Sequence, residues 1–217
     1  MNKTGLTVLL FLLTAFYSFG KTTTEITVPA FNDKYSEFVK ELEAGHTGIN
    51  YREFRESFIE SKQFIVASKS RKEFNDLKKE MYVQMNKSNY QEVIKITKAM
   101  LSIDYTSMLA HKILRQTYKI TGDTLNANKH KTIQFGLLYS IVKSGDGKTC
   151  ETAWPVIQLD EEYFLLQMLD VSLLEQIIDN TGGLCDKMDV KTKDGLKETF
   201  YFETSQVFKG YKKLGMK

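Results

Sequence analysis

The chain has 217 residues, with 30 Lys and Arg against 27 Asp and Glu and a formal net charge of +3. The basic residues alternate with acids, as in Lys78-Lys79-Glu80, so the charges read as a solvated surface and no basic stripe marks a nucleic-acid partner. A chain of this length buries a core without metals or staples.

In chain order, Met1-Asn2-Lys3 precedes an apolar run from Leu6 to Phe19. Lys3 and the amino terminus supply a positive start, Leu9 to Leu13 an apolar centre, and Ser18 and Gly20 the small residues a signal peptidase accepts. Residues 1–20 therefore read as a signal peptide cut after Gly20, leaving 197 residues (217 minus 20). The competing reading is a membrane anchor, which takes roughly 20 apolar residues; this run is shorter and is broken by Thr7, Thr14 and Ser18. No Cys lies near the cut to carry a lipid. The expectation is an exported protein, periplasmic or extracellular, with no membrane span after cleavage.

Residues 21–143 read as helical. Lys21 to Val28 is Thr-rich and reads as a loose arm. Phe31, Tyr35, Phe38, Val39 and Leu42 share one helix face, which Gly45 and Gly48 end. Asn50 with Glu53 forms a capping box for a helix carrying Tyr51, Phe54, Phe58 and Ile59. Ser70 with Glu73 and Ser88 with Gln91 read as two more boxes, before Phe74–Met85 and Val93–Leu101. A further helix spans Tyr105 to Ile120, and after the Gly122-Asp123 turn a long one runs to Val142. Ser88 and Gly122 lie 34 residues apart (122 minus 88), the tetratricopeptide period. Leu114, Tyr118, Gly122, Asp123 and Ala127 fall where such a repeat carries Leu, Tyr, Gly, Asp and a small residue, and Asp104 fits the preceding unit. Asn128, Lys131 and Gln134 depart from it, and an ordinary bundle with a chance period is the competing reading.

Residues 144–217 change character at Ser144-Gly145-Asp146-Gly147. Trp154–Leu159 and Tyr163–Leu169 are apolar runs of strand length, and Leu173–Ile178 fits helix or strand. Met188 and Val190 alternate with polar residues, Lys193-Asp194-Gly195 is a hairpin turn, Thr199–Glu203 a strand, and Ser205–Leu214 a closing helix. The fold class is thus α+β, with antiparallel tetratricopeptide-like helices first, packed on a small C-terminal antiparallel sheet. Cys150 and Cys185 allow one disulfide, or remain two buried thiols.

The segment Ser144-Gly145-Asp146-Gly147-Lys148-Thr149, then Glu151-Thr152-Ala153-Trp154 and Val156-Ile157, leads to Glu161-Glu162-Tyr163. With Tyr201-Phe202 and with Tyr51-Arg52-Glu53-Phe54 near the start, it resembles an uncharacterised family of exported Bacteroidetes proteins, a domain of unknown function. The resemblance covers roughly Phe31 to Leu214. It implies a Gram-negative source and an exported, periplasmic location, and brings no activity, cofactor or catalytic residue. Cys150 departs from the polar residue that the resemblance implies there.

Motifs that carry chemistry mostly fail on spacing. Gly147-Lys148-Thr149 ends like a phosphate loop, but position 142 is Val where that loop needs Gly. Asp186, Asp189 and Asp194 miss the calcium-loop pattern, and His46, His111 and His130 miss zinc spacings. No Ser sits in a G-x-S-x-G elbow. Glu161 and Glu162 would point to opposite faces of a strand. Trp154 and Tyr163 flank a turn and read as core before pocket. The expectation is therefore no catalytic residue, metal or cofactor. The leading function is a binding or scaffolding module of the bacterial envelope, for a protein or peptide, with Tyr82, His111, Arg115 and Tyr118 on the binding face. The alternative is an enzyme with its site around Asp146, Lys148, Glu162 and Tyr163.

Overall fold

Apolar residues at helical spacing, bounded by side-chain caps, build the first part of the chain. The computed structural model describes residues 25–179 and 183–216, so the signal-peptide reading of residues 1–20 lies outside it. Among the described residues the elements are α1 (Lys34–Glu43), α2 (Tyr51–Glu60), α3 (Lys62–Lys69), α4 (Arg71–Asn86), α5 (Tyr90–Ile103), α6 (Met108–Ile120), α7 (Thr124–Val142), β1 (Trp154–Pro155), α8 (Leu159–Leu169), β2 (Ser172–Asp179), β3 (Cys185–Lys191), β4 (Lys197–Glu203) and α9 (Ser205–Lys213). The class is α+β, as expected.

Local chemistry explains most helix ends. Asp33 caps α1 by accepting the Ser36 N–H at 2.9 Å, so the helix begins after Phe31. Asn50 Oδ1 accepts the Glu53 N–H at 3.2 Å, as its box requires. Ser61 ends α2 and caps α3, a helix that the apolar periodicity alone does not separate. The boxes at Ser70 and Ser88 do not form: neither α4 nor α5 has a side-chain cap hydrogen bond. Ser88 instead takes φ +54° and closes α4, with the Asn89 N–H reaching the Gln84 carbonyl. Gly122, at φ +82°, closes α6 the same way through Asp123 N–H and the Tyr118 carbonyl. The pairs α4–α5 and α6–α7 therefore turn through equivalent left-handed residues. The arm is not loose from Glu25 onward: Ile26 is buried, and the Thr27 N–H reaches Ser102 Oγ at 2.9 Å.

The expected strand at Tyr163–Leu169 is wrong. Residues Leu159–Leu169 form α8 instead, and β1 shrinks to Trp154–Pro155. The physical reason is composition. This segment has no β-branched residue, is rich in Leu and Glu, and places Asp160, Glu161 and Glu162 in a first turn whose dipole favours acids. Asp170, at φ +59°, closes the helix. The sheet is also mixed rather than antiparallel throughout. Its order is β1-β4-β3-β2; β2, β3 and β4 form an antiparallel meander, and β1 pairs parallel to β4. The chain lays β1 on one edge, crosses through α8, and returns as β2 on the other. Leu173–Ile178, ambiguous in sequence, lies in β2.

Met188, Val190, Phe200 and Phe202 face a core shared with the helices, and Trp154 stacks on Phe200 at 5.3 Å. Gly147 sits at φ +68° with its α-carbon against the Trp154 ring; a Cβ there would come within 2.8 Å. Cys150 and Cys185 are disulfide-bonded, tying the α7–β1 loop to β3. α9 returns to the helical part, where Lys213 Nζ donates to the carbonyls of Ile59 at 2.9 Å and Glu60 at 2.6 Å, at the C-terminal end of α2.

Candidate functional site: a cleft between the helices and α8

α9 comes close to α3 because Gly210 lies under the Phe64 ring, where a Cβ would stand 2.8 Å from Phe64 Cζ. Between α3, α4, the α5–α6 connection, the first turns of α8, and α9 there remains a cavity of about 570 Å³. Its walls are largely apolar and aromatic: Phe64, Phe74, Met108, Phe164, Tyr211 and Leu214. Such a space is of the size and character of a ligand site. At its mouth Asp160 bridges two cations, Arg71 at 2.7 Å and Lys78 at 3.9 Å.

The floor is polar and buried. Asp104 is 8% exposed and Glu161 is 4% exposed. Glu161 holds Arg55 in a two-point contact, Nε to Oε1 at 2.8 Å and Nη2 to Oε2 at 2.5 Å. Arg55 also donates to the Pro155 carbonyl at 3.0 Å, and Glu161 Oε2 accepts the Ile157 N–H at 2.8 Å. This pair joins α2 to α8 across the seam between the two parts of the chain. A buried pair of this kind tolerates loss of neither partner, because the survivor is left charged in low dielectric.

Asp104 differs. Its Oδ1 accepts the Thr106 N–H at 2.8 Å and the Thr106 hydroxyl at 2.6 Å, and its Oδ2 accepts Gln158 Nε2 at 2.9 Å. Burial pushes its carboxyl above the ordinary value; the Glu161 charge adds to this, while the three donors oppose it. Asp104 forms no ion pair among the described residues.

Of the four residues expected on a binding face, only Tyr82 lines the cleft, and it is 42% exposed. His111 and Tyr118 are buried between α6 and α7. Arg115 lies over the Phe135 ring, away from the cleft lining. His111 Nε2 is 2.9 Å from the Tyr105 carbonyl, and its Nδ1 is 2.9 Å from His130 Nδ1. A carbonyl only accepts, so the proton of His111 is on Nε2, and His130 donates from Nδ1. Burial lowers both rings far below the ordinary imidazole range, His111 to about 3 and His130 to about 2, with His111 adding to the effect on His130. Tyr118 stacks on His130 at 5.8 Å. These residues are packed core.

The other group, Asp146, Lys148, Glu162 and Tyr163, does not converge. Asp146 Oδ1 accepts the Lys148 N–H and the Thr152 hydroxyl within its own loop, and Lys148 pairs with Glu198 at the start of β4. Tyr163 donates to Gln176 on β2, at the far edge of the sheet. Tyr163 lines the cleft; Trp154 does not. Glu162 is fully buried on the sheet side of α8, and neither carboxyl oxygen has a hydrogen-bond partner among the described residues. Burial, then the nearby Asp186 and Glu161, push it up to about 9.

A family model described as Domain of unknown function (DUF4919) matches residues 25–213. The chain belongs to that family. No curated protein and no solved structure matches it. The family match spans both the helices and the sheet of this DUF4919 chain and takes in the cleft lining except Leu214 and Met216.

Asp104, Gln158 and Asp160 in the cleft lining, and Arg55 behind it on Glu161, are given no binding role by the sequence. Arg55 beside Phe54 on an otherwise apolar stripe is the one visible signal, since a cation there needs a buried partner.

Proposed function

We propose that this protein is an exported binding module of a Gram-negative, Bacteroidetes-type cell envelope, taking part of a protein or peptide partner into the cleft between α4, α8 and α9. The observation that carries the reading is the cleft itself: about 570 Å³ with a largely apolar wall and a polar floor, bounded by both parts of the chain. Helix pairs joined by equivalent turns 34 residues apart, at Ser88 and Gly122, support a tetratricopeptide-like origin for the helical part. The terminal pair of such an array needs a cover, and here the sheet and α8 supply it. The apolar run near the amino terminus and the disulfide support export, since disulfides persist in oxidising compartments.

The test is a cross-linked pull-down of the tagged protein from an exporting Gram-negative host, read by mass spectrometry. Ala67 lines the cleft, so Ala67→Trp fills it. A partner captured by the parent and by Lys148→Ala, but lost with Ala67→Trp, is the expected result. A partner retained by a folded Ala67→Trp variant overturns the cleft as the binding site.

A further inference from the structure

We infer that the cleft receives a lysine side chain of a partner polypeptide, with its methylene stem against the aromatic walls and its ammonium on Asp104. This rests on the cleft being the binding site, and adds the chemistry of what enters it.

The charges of the floor decide the sign. Two carboxylates line it, Asp104 and Glu161, and one cation is at hand, Arg55. The Arg55 guanidinium is committed to Glu161 and to the Pro155 carbonyl. Asp104 is left with hydrogen-bond donors but, among the described residues, no ion-pair partner. A carboxylate offers about four acceptor positions; Thr106 takes two and Gln158 one. By that count one acceptor position of Oδ2 is left over, and Asp104 lines the cavity.

A buried carboxylate without a cation is costly, and a group that brings one is held strongly because solvent does not screen it. The cations at the mouth work the other way but weakly. Arg71 and Lys78 already share Asp160, and the Arg71 side chain is 53% exposed to water that screens it. Aromatic rings at Phe64, Phe74 and Tyr82 line the path, and a ring that turns its face to it attracts a cation. Lysine suits the floor better than arginine. A guanidinium presents a planar fork that wants two acceptors side by side, whereas an ammonium is a point charge that one open position satisfies.

Calorimetry on the intact protein tests this with four probes: a capped tripeptide with a central lysine, the same peptide with norleucine, n-butylamine and butanoate. The lysine peptide is expected to bind at least about tenfold more tightly than the norleucine peptide, and Asp104→Asn to remove that advantage. Asn keeps an acceptor for Thr106, and circular dichroism checks that the variant folds. The parent comparison of lysine with norleucine stands without the variant. Equal binding of the two peptides, or preference for butanoate, overturns the lysine assignment while leaving the cleft a binding site. Butylamine bound with the peptide excluded overturns the polypeptide occupant and names a free amine. If no probe binds the parent, the lysine assignment fails, and the Ala67→Trp pull-down decides separately whether the cleft reading fails with it.

Discussion

Two seams of this molecule bury ionisable groups that form no ion pair among the described residues, and they respond to acid in opposite directions. Between α6 and α7, His111 and His130 share a proton-ordered hydrogen bond and are held neutral, His111 falling to about 3 and His130 to about 2. Between α8 and the sheet, Glu162 is held protonated, its carboxyl pushed up to about 9. The contrast follows from one cause. Burial penalises the charged form, which is the acid form of histidine and the basic form of glutamate. For the histidines, the folded state binds fewer protons than the unfolded chain below the ordinary value of 6.5. Their stability is therefore present above pH 6.5 and lost as pH falls toward 3. For Glu162, the folded state binds more protons above the ordinary 4.5, so stability is present below pH 4.5 and lost as pH rises toward 9. The two seams together favour mildly acidic conditions.

The other face of α8 shows what a partner changes, and breaking it should give the largest effect. Glu161→Ala strands Arg55 in the core and is expected to cost about 3–5 kcal/mol in urea unfolding. A loss under about 1 kcal/mol would mean that the pair is not buried in solution. Next, a disulfide ties the α7–β1 loop to β3, whereas none joins α6 to α7 among the described residues. Replacing both Cys150 and Cys185 by Ala opens a loop with a sequence separation of 35, and should lower stability by roughly 3–4 kcal/mol, measured against the oxidised parent. Glu162→Leu should act in the opposite sense. It removes a buried acid that lacks a hydrogen-bond partner and sits near Asp186 and Glu161, so stability at pH 8 is expected to rise by about 1–3 kcal/mol, and its decline between pH 5 and 9 to flatten. A Glu162→Leu protein less stable than the parent at pH 8 would contradict the picture of a buried orphan. The smallest effect is expected from His130→Phe, which keeps the stack on Tyr118 but loses the His111 hydrogen bond. Stability at pH 7 should fall by about 1–2 kcal/mol, while its further loss from pH 6.5 to 4 becomes shallower.

What the sequence made legible follows the same division. In the helical part, Phe54, Phe58, Met81, Met100 and Leu114 repeat at helical spacing and all lie in the core. The hairpin turn at Gly195 and the strand holding Phe200 and Phe202 were equally plain, because a two-residue alternation beside a turn has few other readings. α8 is hidden in the sequence because Tyr163–Leu169 is short and almost wholly apolar, and a run of that length has no period to distinguish helix from strand. Reading it as a strand also hid the roles of Glu161 and Glu162, which a helix turns toward different neighbours. Beyond Arg55 on its apolar stripe, the cleft has no local signal. Asp104 and Gln158 are 54 residues apart in the chain, and Arg55 and Glu161 are 106 apart, so only tertiary packing brings them to one floor.

Site-specific photo-cross-linking in an exporting cell tests the central claim most directly, with a benzoyl-phenylalanine in place of Tyr82 and, separately, of Tyr139. Both are well exposed, at 42% and 48%, but only Tyr82 lines the cleft. A discrete adduct from position 82 that is missing from position 139 is the predicted result. No adduct at 82, or the same adducts at both positions, would contradict the assignment of the cleft as the site of binding.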